Sequence, residues 1–139
     1  KGKDLPFPKE MCGLYSSHGQ KFDRHGKPVT INQDRGCVTY PLAGDWNMML
    51  LCVHDGHGPV GEKTSEYMMK KIPELLQADS DLLKADVGQA LINAFEKADE
   101  SMMADDTIAS VASGTTGVAV LIHGSKVTVA NVGDSRAII

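Results

Sequence analysis

Met48-Met49-Leu50-Leu51-Cys52-Val53-His54-Asp55-Gly56-His57-Gly58 is the stretch whose reading decides the fold. Apolar residues fill positions 48–53 without alternation. That pattern predicts a strand buried on both faces, opening at Trp46 or Asn47 and running to His54. Its end delivers Asp55, Gly56 and His57 to one point in space. Aspartate supplies hard carboxylate oxygens for a divalent cation. Glycine lets the backbone come close, which would allow the Gly56 carbonyl to face the same ion. Histidine takes or gives a proton near neutral pH.

Upstream, residues 37–42 read as a second strand, and Ala43-Gly44-Asp45 as the turn that makes the two a hairpin. Residues 17–32 are loop-like, punctuated by His18-Gly19, Asp23, His25-Gly26 and Pro28. Histidine also precedes glycine at His57 and His123; only His57 reads as chemical, the other three as turn residues. Residues 11–16 suggest a short first strand. Residues 1–10, with Pro6 and Pro8, read as an extended N-terminal segment, and residues 11–139 as one domain portion.

Downstream of Pro59 the period changes. Tyr67, Met68, Ile72 and Leu75-Leu76 recur at helical spacing, with charged residues between them. Pro73 removes a backbone donor and crowds the preceding turn. The helix is therefore expected to end or kink near Ile72, with Pro73 opening a short second turn, and residues 79–81 to form a break. Val87, Leu91, Ala94-Phe95, Ala98 and Met102 form the stripe of a second helix, started by Asp86 with Gln89 at capping-box spacing and ending near Met103. The methionines at 68–69 and 102–103 read as core. Residues 118–122 and 126–132 form a hairpin around His123-Gly124-Ser125. Gly133-Asp134-Ser135-Arg136 then interrupts before Ala137-Ile138-Ile139 starts another strand. Strands, then helices, then strands argue an α+β layering of antiparallel sheets with flanking helices.

The 139 residues carry a net charge of −4, with 42% hydrophobic and 23% charged residues, an ordinary globular balance. No basic run of five or more residues occurs, so no nucleic-acid partner is expected. The longest apolar runs are too short for a membrane span, and no apolar stretch follows the first residues as a signal peptide would require. The three cysteines, Cys12, Cys37 and Cys52, lack paired zinc spacing. They read as buried reduced thiols of an intracellular protein, cytoplasmic or nuclear.

Three acid-bearing clusters sit at strand ends: Asn32-Gln33-Asp34-Arg35-Gly36, Asp55-Gly56-His57-Gly58 and Gly133-Asp134-Ser135-Arg136. Oxygen ligands there suit magnesium or manganese. Each has a plainer reading. Asp34 alone is equally an Asx-turn residue, Asp55-Gly56 a common turn pair, and Asp134 with Arg136 an exposed turn or local ion pair. Together, and in this order, they resemble a family. Val53-His54-Asp55-Gly56-His57-Gly58, Ser113-Gly114-Thr115-Thr116, Ala130-Asn131-Val132-Gly133-Asp134-Ser135-Arg136 and Asn32-Gln33-Asp34 are similar to successive motifs of the metal-dependent type 2C (PPM-type) Ser/Thr protein phosphatases. The resemblance covers roughly residues 11–139, the N-terminal half of that family's catalytic domain.

The resemblance implies a four-layer α-β-β-α sandwich, here a partial domain. It implies a two-metal centre of Mg2+ or Mn2+ and hydrolysis of phosphoserine or phosphothreonine in phosphoprotein substrates by metal-activated water. Asp55 would bridge two metals and the Gly56 carbonyl would bind one. Asp34 would hold or orient metal-bound water, His57 would protonate the leaving oxygen, and Asp134 would serve a weaker third metal site. Two positions depart from the family pattern. Gln33 stands where many members have Glu, and Val29 where many have an arginine that grips the substrate phosphate; Lys27 and Arg35 are the nearby cations. The family's downstream Asp-Gly-x-x-Asp and Asp-Asn motifs are absent from these residues. The chain by itself is therefore expected to be inactive and, with open sheet edges, prone to self-association. The alternative is a phosphatase-like binding or regulatory module without turnover.

Overall fold

The computed structural model describes residues 7–29, 31–108 and 110–139. Its centre is β4, Met48–His57, longer at its C-terminal end than the sequence suggests, so that Asp55, Gly56 and His57 lie inside the strand. β4 pairs antiparallel with β3 (Asp34–Thr39) on one side, and with β6 (Gly117–His123) and the two-residue β5 (Gly114–Thr115) on the other. β6 pairs in turn with β7, Lys126–Val132, through the expected hairpin. The expected hairpin of β3 and β4 forms, with β3 over Asp34–Thr39 rather than residues 37–42. Its turn places Ala43 and Gly44 at φ 50° and 74°, and the Leu42 N–H donates to the Met48 carbonyl at 3.0 Å. A separate ribbon pairs β1, Lys21–Phe22, with β2, Pro28–Val29, within the segment expected to be loop.

One face of the sheet is covered. The α1 helix (Gly61–Ala78) sets Met68, Ile72 and Leu76 against β4, and α3 (Val87–Met103) sets Ala90, Leu91, Ala94, Ala98 and Met102 into the same core. From the sheet come Leu50, Cys52, Ala119 and Leu121, each almost inaccessible. Alternate residues of β4 take the other face, where Val53 is 49% exposed, as are Val127 at 45% and Val129 at 43% on β7. The expectation of a strand buried on both faces holds at Met49, 4% exposed on this second face, and is corrected from Val53 onward: among the described residues only the first face carries helices. Sheet and helices make two layers of the α-β-β-α sandwich.

Several local expectations also change. α1 passes through Pro73 without ending. The carbonyl that the proline leaves without its helical donor, that of Met69, lies 3.7 Å from the Cys37 sulfur. The expected break at 79–81 is instead the start of a short helix, α2 (Ser80–Ala85), which Asp79 caps by accepting the Leu82 N–H at 3.3 Å. Asp86 caps α3 by accepting the Gln89 N–H at 3.0 Å, but Gln89 turns to Asn93 rather than closing a capping box. Met103 is exposed. Residues 11–16 and 137–139 form no strand. Of the expected extended segment 1–10, residues 1–6 lie outside the described residues, and Lys9–Met11 is a 3-10 turn.

Candidate active site

The register between β3 and β4 sets Asp34 directly opposite Asp55. Directly opposed residues share a face, and the side-chain period of two puts His57 on that face too. Asp34, Asp55 and His57 therefore stand together on the open face, all three exposed. The sequence expected them at a strand end; the structure adds that they share a side.

Gly56 points the other way, into the start of α1. A Cβ there would lie 2.1 Å from the Gly61 carbonyl oxygen and 2.5 Å from that of Gln33, so only glycine fits. Its N–H donates to the Gln33 carbonyl at 3.2 Å. A strand residue directs both backbone polar groups the same way, so the Gly56 carbonyl also points towards the β3 side. Gly114, opposite His57, is glycine for a related reason: a Cβ would come within 2.9 Å of the imidazole.

Small hydroxyls brace this corner from behind. Ser65 donates to the Gln33 carbonyl at 2.6 Å, and the single Thr64 hydroxyl proton is shared between the carbonyls of Gly61 and Gly114, at 2.9 and 2.8 Å. Ser113 accepts the Val60 N–H at 3.0 Å. Thr116 is the chief link. Its hydroxyl accepts the Asp55 N–H at 3.0 Å and bonds the Ser135 hydroxyl at 2.6 Å. Its carbonyl lies 3.1 Å from Nδ1 of the wholly buried His54. Burial holds the His54 pKa below its ordinary 6.5, although the Thr116 carbonyl works in the opposite direction. The ring is neutral, with Nδ1–H donating. The Asp55–Thr116–Ser135 chain brings the Gly133–Arg136 segment to the corner, and Asp134, itself exposed, is one residue from the link.

Sequence reasoning gave these hydroxyls no role. A signal exists in retrospect: Thr64 and Ser65 occupy the buried stripe of an amphipathic helix, where hydroxyls need internal partners.

The two departures acquire physical roles. Gln33 donates through Nε2 to the Gly58 carbonyl at 2.8 Å, which a carboxylate cannot do. Arg35, opposite His54, faces the helix side. It donates to the carbonyls of Asn32 and Asp34 at 2.8 and 2.9 Å and approaches Glu66 at 3.9 Å. It braces β3 and does not stand with the carboxylates as a phosphate grip. Val29 pairs with Lys21 in the outlying ribbon, and the Lys27 N–H bonds Asp23 there. A small cleft of about 60 Å³, lined by His18, Asn32, Gln33, Asp34 and Gly56, opens beside the corner.

The donor set fits a hard divalent cation in kind: two carboxylates and a carbonyl, all oxygen. It is sparse in number, since no group of three His, Cys, Asp or Glu side chains able to hold an ion occurs among the described residues.

These features belong to a known fold. The protein phosphatase 2C family model matches residues 20–139. The chain is 37% identical over 126 residues to probable protein phosphatase 2C 35 of Arabidopsis thaliana, covering 91% of this chain and 36% of that protein. A crystal structure of the PPM Ser-Thr phosphatase MsPP from Mycobacterium smegmatis, in complex with cacodylate, superposes with a TM-score of 0.59 at 23% identity, over 86% of this chain and 44% of that one. A bacterial serine phosphatase variant does so with a TM-score of 0.65 at 24% identity, over 90% and 56%. The chain thus belongs to the protein phosphatase 2C family. It spans about a third of the Arabidopsis relative and about half of the two solved structures. No helix among the described residues is long and apolar enough to cross a membrane.

Proposed function

We propose that the protein carrying these residues hydrolyses phosphoserine and phosphothreonine in protein substrates, using Mg2+ or Mn2+. The carrying observation is the placement of Asp34 opposite Asp55, with His57 on the same open face. Asp55, the Gly56 carbonyl and Asp34 would hold the cations, with Asp134 at a weaker further site. Such a pair of ions supplies an activated water and neutralises phosphoryl charge. His57, free of covering side chains on its exposed face, would protonate the departing serine or threonine oxygen. Thr116 and Gly56 set the backbone that carries these groups. The reduced thiols are consistent with a cytoplasmic or nuclear location.

The test is turnover of a phosphothreonine peptide with Mn2+, run on this chain and on the protein extended to the length of its relatives. The extended protein is expected to be active and this chain inactive, because its ligand set is sparse. Asp55→Asn in the extended protein should abolish turnover and weaken Mn2+ binding. His57→Ala should slow the peptide far more than an aryl phosphate, whose leaving group departs without a proton. Equal losses on both would remove the acid role. A second reading, a binding module without turnover, draws on the structural use of Gln33 and Arg35; an inactive extended protein that still binds the phosphopeptide would establish it.

A further inference from the structure

Cys37 and Cys52 are register partners across β3 and β4. The bond from the Gly56 N–H to the Gln33 carbonyl marks 33 and 56 as a hydrogen-bonded pair. Counting by twos along the ladder makes 37 and 52 another. Such partners have Cα atoms about 5.5 Å apart, inside the roughly 4.4–6.8 Å that a disulfide spans, and Cβ atoms up to about 5.5 Å apart, so the pair closes by about 1 Å to form the bond. Both side chains lie on the helix side. Cys12 is apart from them, its sulfur 3.6 Å from that of Met49, whose side chain occupies the other face of β4.

The pair is unequal. Cys52 is 1% exposed. Cys37 is half-buried and opens on a groove of about 740 Å³ beside α1, whose charged side chains are Lys70 and Glu74. The hydrogen bond with Cys52 brings the Cys37 thiol down to about 7 despite its burial. The same bond, with burial and the facing charge, pushes Cys52 up. A thiolate that is reachable and a protonated thiol that is not divide the work of attack and resolution.

We propose that Cys37 and Cys52 are a reversible disulfide site for hydroperoxides, with Cys37 the sulfur that reacts first. The Cys37 thiolate attacks a peroxide oxygen; the O–O bond breaks, leaving a sulfenic acid and releasing hydroxide. That step removes the thiolate acceptor whose hydrogen bond, together with burial, keeps Cys52 protonated. Cys52 then gives its proton to that hydroxide, forming the first water, and its thiolate attacks the sulfenic sulfur; the S–S bond forms, the S–O bond breaks, and the hydroxide that leaves takes up the proton Cys37 had shed to solvent on ionising, forming the second. Two thiols lose two electrons to one peroxide, and two waters are formed. The site stands three residues beyond Asp34 and three before Asp55, on the strands whose register places those carboxylates opposite each other. It does not depend on the metal-centre reading.

The experiment treats the purified protein with hydrogen peroxide, blocks free thiols with iodoacetamide under denaturing conditions and cleaves before aspartate. Asp45 lies between the two cysteines, so cleavage puts them in separate peptides. A Cys37–Cys52 linked pair, restored to free thiols by dithiothreitol, with Cys12 alkylated, is expected. In Cys52→Ala, Cys37 should be captured by dimedone as the sulfenic acid. Without peroxide, Cys37 should alkylate about ten-fold faster than Cys52 in the folded protein. Preferential oxidation of Cys12 would overturn the proposal. So would Cys37 passing to sulfinic acid while Cys52 stays alkylatable, or both cysteines staying free. The peptide map is read on the unsubstituted protein, so the outcome does not rest on the variant folding.

Discussion

The two faces of β4 use the same ten residues for opposite ends. On the helix side, Met48, Leu50, Cys52 and His54 are at most 1% exposed, and Gly56 meets the backbone of α1. On the other side, Val53, Asp55 and His57 are exposed. The helix side determines where the strand lies; the open side is where side chains are free to do chemistry. A period of two lets one strand serve both without compromise. It also means that a change on one face has little direct reach to the other.

Substitutions break that comparison in graded steps, each read by urea unfolding. Gly56→Ala should be the most damaging, because its methyl would overlap the Gly61 and Gln33 carbonyls. We expect a loss of about 3 kcal/mol or more, or no folded protein. Leu50→Ala, deep on the same face, should cost about 2–5 kcal/mol. Thr116→Val removes the acceptor of the Asp55 N–H and should cost about 1 kcal/mol; in the extended protein it should also raise the Mn2+ needed for half-maximal activity, and Thr116→Ser should restore both. Val53→Ala, on the open face, should cost under about 1 kcal/mol. A Val53→Ala loss as large as that of Leu50→Ala would erase the distinction between the faces. The pH dependence sharpens it from the helix side. The Cys37 pKa is lowered, so its thiolate is lost as pH falls through about 7. Alkylation of Cys37 should rise with pH and level off above that value.

Much of the corner was legible because its residues are adjacent in sequence or lie at motif spacing. Asp55, Gly56 and His57 are consecutive, and the glycine-bearing turns delimit the hairpins. What the sequence hid was mostly lateral. The unbroken apolar run of β4 does not say that one face lacks a cover, since Leu51 and Val53 are apolar on either account. Pro73 misled because its penalty belongs to the helix interior in isolation; here a thiol from β3 approaches the Met69 carbonyl it leaves. The α2 helix was missed because six residues hold too little periodicity to register. Arg35 was legible as a cation but not as facing the helices, which depends on the β3–β4 register.

The length of β4 has a practical side. Its turn-proximal end is held by a 2.9 Å bond from the Gly124 N–H to the Asn47 carbonyl and a 3.2 Å contact between His123 and Asp45. At about 3.3 Å per residue, that end lies roughly 23 Å from Asp55. The turns at Ala43-Gly44 and Gly124-Ser125 are thus natural points of attachment. A fluorophore or a short peptide tag placed there would report on the molecule, or immobilise it, while leaving the carboxylate corner facing freely into solution.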